Sequence, residues 1–354
     1  MLATESKHLS AIPLLKLLLI LGVIVIHSNI QNYIPSDYSN AGLNIIGYIV
    51  SLARASVPSF FIISGYLFFY GVKKFTFGVY QEKIFRRAKT LLLPYILWNI
   101  FCASLFLFKV CVLKFPGLGI IENGNVDWIK FIEGFIFIEQ ADGYPYAFAF
   151  WFIRNLIAFV ILTPAVWLVA RRWWSVALFF TIKIVSDINF FGIEWFILGA
   201  ACSLHHISFG NRNSNDLVVF RGSVYLIFAA IGDYCRMPDM LSSLLFTLEI
   251  AAAFYFFYSV SQRFTHAHLG RAVHLLCSST FFIYAFHQCF CSINDKFWIY
   301  IFGYDTIIGS LAAFLASFIS LVAASLLAYV LLRKIAPRLL ALLTGDRSAP
   351  SRRH

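Results

Sequence analysis

Long runs of apolar residues recur along the whole chain, and short polar segments separate them. Each run has about 17 to 25 residues, enough for an α-helix to cross the hydrocarbon core of a bilayer. The runs are continuously apolar rather than alternating, which excludes a membrane β-barrel. The pattern therefore predicts an all-α fold, a polytopic transmembrane helical bundle of about ten spans. The predicted spans are approximately residues 11–30, 45–70, 91–110, 148–170, 173–188, 190–206, 217–234, 240–261, 273–292 and 306–332.

The fifth and sixth spans have the least typical pattern. Both are short, and each contains a charged residue, Lys183 in one and Glu194 in the other. The turn sequence SDINFFG lies between them. Irregular backbone at membrane depth is tolerated only where protein or water surrounds it. The pattern is therefore compatible with two spans or with a bent, partly re-entrant pair.

Composition agrees with a membrane protein. Hydrophobic residues make up 60% of the 354 residues and charged residues 13%, and the mean hydropathy is +0.78. Soluble domains contain about a quarter charged residues, so a soluble protein is excluded. The seven cysteines lack the paired spacing of a zinc or redox site, and no metal is predicted. We interpret the cysteines as small apolar side chains.

The net charge of +11 lies in short loops rather than in one basic domain. Most Lys and Arg residues fall in loops of one parity, most densely in segments 73–89 and 333–353. The positive-inside rule then places both termini in the cytoplasm. The partner that this pattern predicts is a lipid bilayer, with no nucleic acid. Residues 1–340 are predicted as a single transmembrane domain, and residues 341–354 as a basic cytoplasmic tail that is disordered.

One loop on the opposite side is long. Residues 111–147 contain Trp128, further aromatic residues near the end and several acidic residues. This composition is compatible with a half-buried amphipathic helix that covers the outer mouth of the bundle.

Several ionisable residues lie inside the predicted spans. Such a residue costs several kcal/mol at the bilayer centre unless it faces protein or water, so a set of this size indicates a polar cavity or pathway. The alternative for the arginines and glutamates is a network of structural salt bridges. The residues on which the interpretation depends are Lys16, His27, Arg54, Arg154, Lys183, Glu194, Glu249 and His287.

Two of these residues share the first span. Lys16 and His27 are eleven residues apart, which is roughly three helical turns, so both side chains lie on one helix face about 16 Å apart along the axis. Charge places Lys16 near the cytoplasmic end and His27 near the outer end. Alternatively, Lys16 extends to the inner headgroups and His27 is a hydrogen-bonded residue at the outer interface.

Two arginines lie in later spans. Arg54 is about nine residues into the second span and is followed by Pro58, which removes a backbone donor and loosens the helix. Arg154 is one or two turns below the outer end of its span. These positions predict a polar site, with Glu194 and Glu249 as possible counter-ions.

Five segments, in order, resemble the integral-membrane acyltransferase family 3. The first span of that family has Arg or Lys, ten residues and then His; here Pro13 stands where many members have Asp. The resemblance extends over nearly the whole chain. The matching segments are Lys16 with His27, RASVPSFFIISGYL (54–67), KIFRRAKTLLLPYILWN (83–99), Trp151-Phe152-Ile153 and SSTFFIYAFH (278–287).

The resemblance implies a bacterial inner (cytoplasmic) membrane enzyme with several spans. It implies that residues 1–340 are an acyltransferase domain. It further implies acetyl-CoA as the cytoplasmic donor and a hydroxyl of a polysaccharide, lipopolysaccharide or lipid-linked sugar of the cell envelope as the acceptor.

The candidate site follows from the chemistry of acyl transfer. A base near the acceptor hydroxyl and a positive group near the developing oxyanion are needed. We expect His27 to be the base, or to carry the acetyl group covalently, and Arg54 and Arg154 to stabilise negative charge. Lys16, Arg86, Arg87 and Lys89 are expected to bind the CoA phosphates. Membrane topology alone would also explain the charges at 83–89, and a transporter or flippase of a lipid-linked glycan is the alternative function.

Overall fold

The structure is a computed structural model that describes residues 10–122, 124–186, 190–207, 209, 215–235, 237–265 and 270–346. Within these residues it is a helical bundle with one small antiparallel hairpin, β1 (Ile121–Glu122) and β2 (Asn125–Val126). The helices, in chain order, are α1 (Ile12–His27), α2 (Ala41–Ala53), α3 (Ser56–Phe69), α4 (Phe77–Arg87), α5 (Leu93–Leu113), α6 (Trp128–Glu133), α7 (Trp151–Ile161), α8 (Thr163–Ala170), α9 (Trp173–Ser186), α10 (Ile193–Leu204), α11 (Asn215–Tyr234), α12 (Asp239–Thr265), α13 (Arg271–Phe286), α14 (Cys291–Phe302), α15 (Ile307–Ile335) and α16 (Pro337–Thr344).

The helices confirm a membrane-spanning bundle. Six helical segments of the described residues are long and apolar enough to cross a bilayer, or eight if each of two bent pairs is one span. The bends are 73° between α7 and α8 and 69° between α13 and α14. The short apolar helices α9 and α10 correspond to the fifth and sixth predicted spans. The count of ten spans and the cytoplasmic termini stay predictions.

The predicted second span, 45–70, lies within one helical segment, Ala41–Phe69, in which a short turn interrupts the regular helix. Helix α2 ends at Ala53 and α3 begins at Ser56, with Arg54 at the break. The predicted ninth span, 273–292, is also different, because the chain bends after Cys289 and continues as α14 to Phe302. Apolar runs alone did not reveal these breaks, since both sides of each break are apolar.

Two glycines bring α3 and α10 into close contact. A Cβ atom on Gly65 would lie 2.0 Å from the Phe196 carbonyl oxygen, and one on Gly199 would lie 2.0 Å from the Ile62 carbonyl oxygen. Small residues let membrane helices approach to backbone contact. Gly65 of the SGY segment therefore has a packing role.

We expect Gly65→Ala to destabilise the protein by about 1–3 kcal/mol or more, because the new methyl group forces α3 and α10 apart. Thermal unfolding of the detergent-solubilised protein measures this. Gly78→Ala in α4 is the control, since a Cβ atom there has no neighbour within 4 Å. Equal melting temperatures for the two variants would contradict the packing role.

A buried ion pair connects α9 to α10. Lys183 Nζ lies 3.7 Å from Glu194 Oε1, and the side chains are 11% and 5% exposed. Lys183 also lies over the Trp195 ring at 5.3 Å. Glu194 is therefore the partner of Lys183 rather than a counter-ion of Arg54 or Arg154, and this pair supports the salt-bridge alternative.

The long loop packs on the end of the bundle that carries His27. Its α-helix α6 has only six residues and no buried ones, so it is shorter and more exposed than the amphipathic helix considered from the sequence. Tyr95 donates its hydroxyl hydrogen to the Phe135 carbonyl at 2.5 Å, and the Ala147 amide donates to Asn99 Oδ1 at 3.0 Å. Helix α5 thus anchors both the middle and the end of the loop.

The last helix extends into the segment predicted as a tail. Helix α16 ends at Thr344, and Trp98 Nε1 donates to the Leu343 carbonyl oxygen at 3.1 Å. Residues 341–344 are therefore helical and pack against α5. Residues 347–354 lie outside the described residues.

Candidate active site

A cavity of about 360 Å³ runs along one face of α1. We call it the long cavity. On α1 its wall contains residues spaced by three or four positions, which is the spacing of a single helical face. Side chains of α3, α7 and α13 form the other walls. The lining residues of α1 are Ile12, Pro13, Lys16, Ile20, Val23 and His27.

Both ionisable residues of the first span line the long cavity. Lys16 lies toward one end and His27 toward the other, about 16 Å apart along the helix axis by the rise per residue. Pro13 lies in the first turn of α1, where the missing N–H costs no helical hydrogen bond. The wall between the two polar ends is largely apolar. The cavity can therefore hold an elongated molecule with a charged head at the Lys16 end.

Arg87 joins Lys16 at that end. It is the last residue of α4 and lines the long cavity together with Leu91. A π-helical turn, Ala88–Leu92, follows at once and connects α4 to α5. Such turns change the direction of side chains and are frequent at functional sites.

The other two residues predicted to bind CoA phosphates, Arg86 and Lys89, are not among the described residues that line the long cavity. Arg86 is exposed and pairs with Glu82 at 2.7 Å, as expected for neighbours one helical turn apart. Lys89 is exposed. Arg87 is therefore the arginine of the segment 83–89 that can contact a ligand in the long cavity. Membrane topology alone explains the charges of Arg86 and Lys89.

His287 meets His27 at the opposite end of the long cavity. The two ring centroids are 5.3 Å apart, and the Phe148 ring contacts His27 edge-on at 5.0 Å. His287 is fully buried. It belongs to the short 3-10 turn His287–Cys289 that follows α13.

The hydrogen bond of His287 defines its tautomer. Nδ1 lies 3.1 Å from the Ile283 carbonyl oxygen, which can only accept, so Nδ1 carries the hydrogen. Nε2 then has a free lone pair, and it is buried without a hydrogen-bond partner among the described residues. A buried acceptor without a donor costs free energy, so it is rare in folded proteins. We interpret the exception at Nε2 as functional, because its lone pair is available to accept a proton.

Two residues beside His287 fix the turn. Tyr284 donates to the Ala149 carbonyl oxygen at 2.5 Å, and the Ala149 amide donates to Gln288 Oε1 at 2.9 Å. These bonds tie the α13 end to the segment just before Trp151, so the WFI and SSTFFIYAFH segments meet in space.

The two arginines predicted as catalytic lie elsewhere, and neither lines the long cavity within the described residues. Arg54 is exposed at the break between α2 and α3, where its charge interacts with that of Glu249. Arg154 Nη1 donates to the carbonyl oxygens of Ile136 (2.7 Å) and Gly143 (2.9 Å). Arg154 thus holds the long loop, and Glu249 is near Arg54, as the sequence suggested.

The family is decided by comparison with known proteins. The family model of the acyltransferase domain, acyltransferase family 3, matches residues 9–330. The chain belongs to acyltransferase family 3. The match includes α1, α13 and nearly all of α15, so the long cavity lies within the family domain.

One relative of this acyltransferase aligns over nearly its whole length. Succinoglycan biosynthesis protein ExoH from Rhizobium meliloti (strain 1021) is 24% identical over 370 residues, which cover 98% of this chain and 95% of the relative. No solved structure matches the acyltransferase. Family membership favours an enzyme over the transporter or flippase that the sequence left open.

His287 is the site residue that sequence reasoning placed among the buried charges without giving it a role. The signal was present in the segment SSTFFIYAFH, which ends at His287. Only the bundle shows that this segment reaches His27, which is 260 positions earlier in the chain.

Proposed function

We propose that the acyltransferase moves an acetyl group from cytoplasmic acetyl-CoA to a hydroxyl of a cell-envelope polysaccharide or lipid-linked glycan at a bacterial inner membrane. The observation that carries this proposal is the long cavity, which joins the cations Lys16 and Arg87 to His27. The role of the relative in succinoglycan biosynthesis supports a glycan acceptor. The basic Lys16 end faces the cytoplasm in this proposal, in agreement with the positive-inside rule.

The charged and apolar lining of the long cavity supports a CoA donor. Lys16 and Arg87 bind the phosphates of CoA, since charge-assisted hydrogen bonds to phosphate are strong. The pantetheine arm extends along Ile20, Val23 and Phe60, which are apolar and line the same cavity. This arrangement brings the thioester to His27.

His27 acts on the acceptor hydroxyl. In direct transfer, His27 removes the hydroxyl proton, the oxygen attacks the thioester carbonyl, the C–S bond breaks, and the proton passes to the CoA thiolate. In covalent transfer, a His27 ring nitrogen attacks the thioester carbonyl, the C–S bond breaks, and CoA leaves as the thiolate, which takes the imidazole proton. The acceptor hydroxyl oxygen then attacks the acetyl carbonyl, the C–N bond breaks, and the hydroxyl proton returns to the His27 ring nitrogen. Neither route uses a metal ion.

His287 positions His27 in either route. The two ring centroids are 5.3 Å apart, and a small shift of the rings on substrate binding would let the His287 Nε2 lone pair accept a hydrogen from the ring N–H of His27. The other His27 nitrogen is then the base or nucleophile. This is the general arrangement of a base oriented by a third group. The oxyanion-stabilising roles of Arg54 and Arg154 stay predictions, while the contacts of Arg154 support a role in positioning the loop.

The decisive experiment is chemical. Purified acyltransferase in lipid nanodiscs is incubated with radiolabelled acetyl-CoA and envelope glycan, and the label is expected on the glycan. Other acyl-CoA donors compete in the same assay and test the acetyl preference. Mass spectrometry of envelope polysaccharide with and without the gene identifies the acceptor by the loss of one acetyl group. An unchanged polysaccharide together with no label transfer would contradict the proposal.

We expect Arg87→Ala to raise the KM for acetyl-CoA about tenfold or more, because a charge-assisted hydrogen bond to phosphate is removed. Arg86→Ala is the matched control and should leave this KM unchanged, since Arg86 is exposed and paired with Glu82. Steady-state kinetics with varied acetyl-CoA measure both. The same KM for the two variants would exclude Arg87 as a phosphate ligand.

A further inference from the structure

A second cavity, of about 270 Å³, lies under the long loop at the His27 end of the bundle. We call it the loop cavity. It is bounded by the end of α5, by residues 138–146 of the loop and by residues 288 and 289. The thiols of Cys102 and Cys289 are 3.9 Å apart in its wall. The side chains that matter below are Phe106, Lys109, Tyr144, Tyr146, Phe148 and Gln288.

A single layer of residues separates the loop cavity from the long cavity. Phe148 lines the loop cavity, and its ring also contacts the His27 ring at 5.0 Å. Ala149, the next residue, lines the long cavity and donates its amide hydrogen to Gln288 of the loop cavity. The Phe148 ring therefore lies between a molecule in the loop cavity and His27.

The lining of the loop cavity combines aromatic rings with one cation. Phe106, Tyr144, Tyr146 and Phe148 provide flat apolar faces. Lys109 forms no ion pair with any described residue. A ligand site of this kind has mostly apolar and aromatic walls with few polar groups that fix orientation. The rings suit the C–H face of a sugar, and Lys109 suits a negative charge next to it.

We propose that the loop cavity binds the acceptor, which is a sugar ring attached to an anionic group, and that Lys109 lies next to the anion. The ring of Phe148 is a movable partition between the bound sugar and His27. This inference rests on the proposed function, since it names the acceptor site of the same reaction. The anion is a carboxylate of an acidic sugar or the diphosphate of a lipid-linked glycan. Both present oxygen acceptors to the lysine ammonium group.

The partition has a chemical consequence. While the Phe148 ring is in place, it keeps water on the loop-cavity side away from the thioester near His27. When a sugar enters, the ring turns aside and the hydroxyl takes its place. Without the ring, water can attack the thioester: the C–S bond breaks, a C–O bond forms, and one water proton passes to the CoA thiolate, giving acetate and CoA.

The anion site is tested with Lys109→Met, with Lys114→Met as the matched control because Lys114 is exposed and does not line the cavity. Three acceptors are compared: an acidic oligosaccharide, its carboxyl-reduced neutral form, and a neutral sugar linked to a lipid diphosphate. We expect Lys109→Met to raise the acceptor KM about tenfold for a charged acceptor, with the KM for acetyl-CoA unchanged. An effect on the acidic oligosaccharide alone assigns the carboxylate, and one on the lipid-linked sugar alone assigns the diphosphate.

Equal effects on charged and neutral acceptors, no effect on any, or the same effect in Lys114→Met would overturn the anion site. If the unaltered protein transfers label to none of the three, the proposed function itself fails. The two failures are thus distinguishable.

The partition is tested with Phe148→Ala in the absence of acceptor. Acetyl-CoA hydrolysis by this variant is expected to rise severalfold over that of the unaltered protein, measured as released CoA thiol. Phe115→Ala is the control, because Phe115 is exposed and lines neither cavity. Unchanged hydrolysis in correctly inserted Phe148→Ala would overturn the partition, and an equal rise in both variants would do the same.

Discussion

Replacing His27 with alanine is expected to lower acyl transfer by about 10²–10⁴-fold, the usual contribution of a general acid–base group. The loss should appear in kcat, with the KM for acetyl-CoA little changed, since Lys16 and Arg87 remain at the other end of the long cavity. The measurement is transfer of radiolabel from acetyl-CoA to glycan by purified variant in nanodiscs.

The control for this change is His274→Ala, because His274 is exposed on α13 and is not part of either cavity. It should leave the rate unchanged. Normal O-acylation by a His27→Ala protein that is expressed and inserted at the usual level would exclude His27 from the chemistry. An acetylated peptide that contains His27, trapped with donor alone, would distinguish covalent transfer from direct transfer.

The second large effect is expected at His287. His287→Phe keeps a ring of similar size but removes the Nε2 lone pair, and we expect kcat to fall about 10–100-fold with the KM for acetyl-CoA unchanged. His287→Gln restores a polar acceptor near the Nε2 position and should recover part of the rate. A role limited to packing predicts the opposite order, since phenylalanine fills the buried space better than glutamine.

A double-mutant cycle separates positioning from structure. If His287 acts through His27, the double variant His27→Ala/His287→Phe should be no slower than His27→Ala alone, because residues that act as a unit are not additive. Additive losses would contradict the positioning role. Thermal unfolding of each variant shows whether the loss of the hydrogen bond between His287 Nδ1 and Ile283 has also changed stability.

Helical periodicity was enough to place Lys16 and His27 on one face. Both residues belong to a single continuous helix, whose geometry depends only on local backbone hydrogen bonds. The prediction needed no neighbouring helix, and α1 does present both residues to one cavity. The order of short segments along the chain was likewise enough to identify the family, since that resemblance is a property of sequence.

The basic segment shows where periodicity stops being informative. Arg86, Arg87 and Lys89 are close in sequence and similar in charge, yet only Arg87 lines the long cavity. Neighbouring helical residues point about 100° apart, since a turn holds 3.6 residues. The packing of α4 then decides which of them faces the cavity, and no charge pattern describes that packing. Arg54 and Arg154 were placed at a polar site by their depth, but depth does not tell which direction a side chain takes.

The sequence by itself determined the membrane-spanning helical class, the family, and the face of α1 that carries Lys16 and His27. Composition, the order of short segments and the helical period can all be read without knowing which helices are neighbours. Only the tertiary structure decided that His287 lies beside His27, that Lys183 pairs with Glu194, and that Phe148 separates two cavities. These contacts join residues on different helices or on a helix and a loop. They depend on which helices are neighbours and how they pack, as α3 and α10 do through backbone contact at Gly65 and Gly199, and neither composition nor helical period specifies that packing.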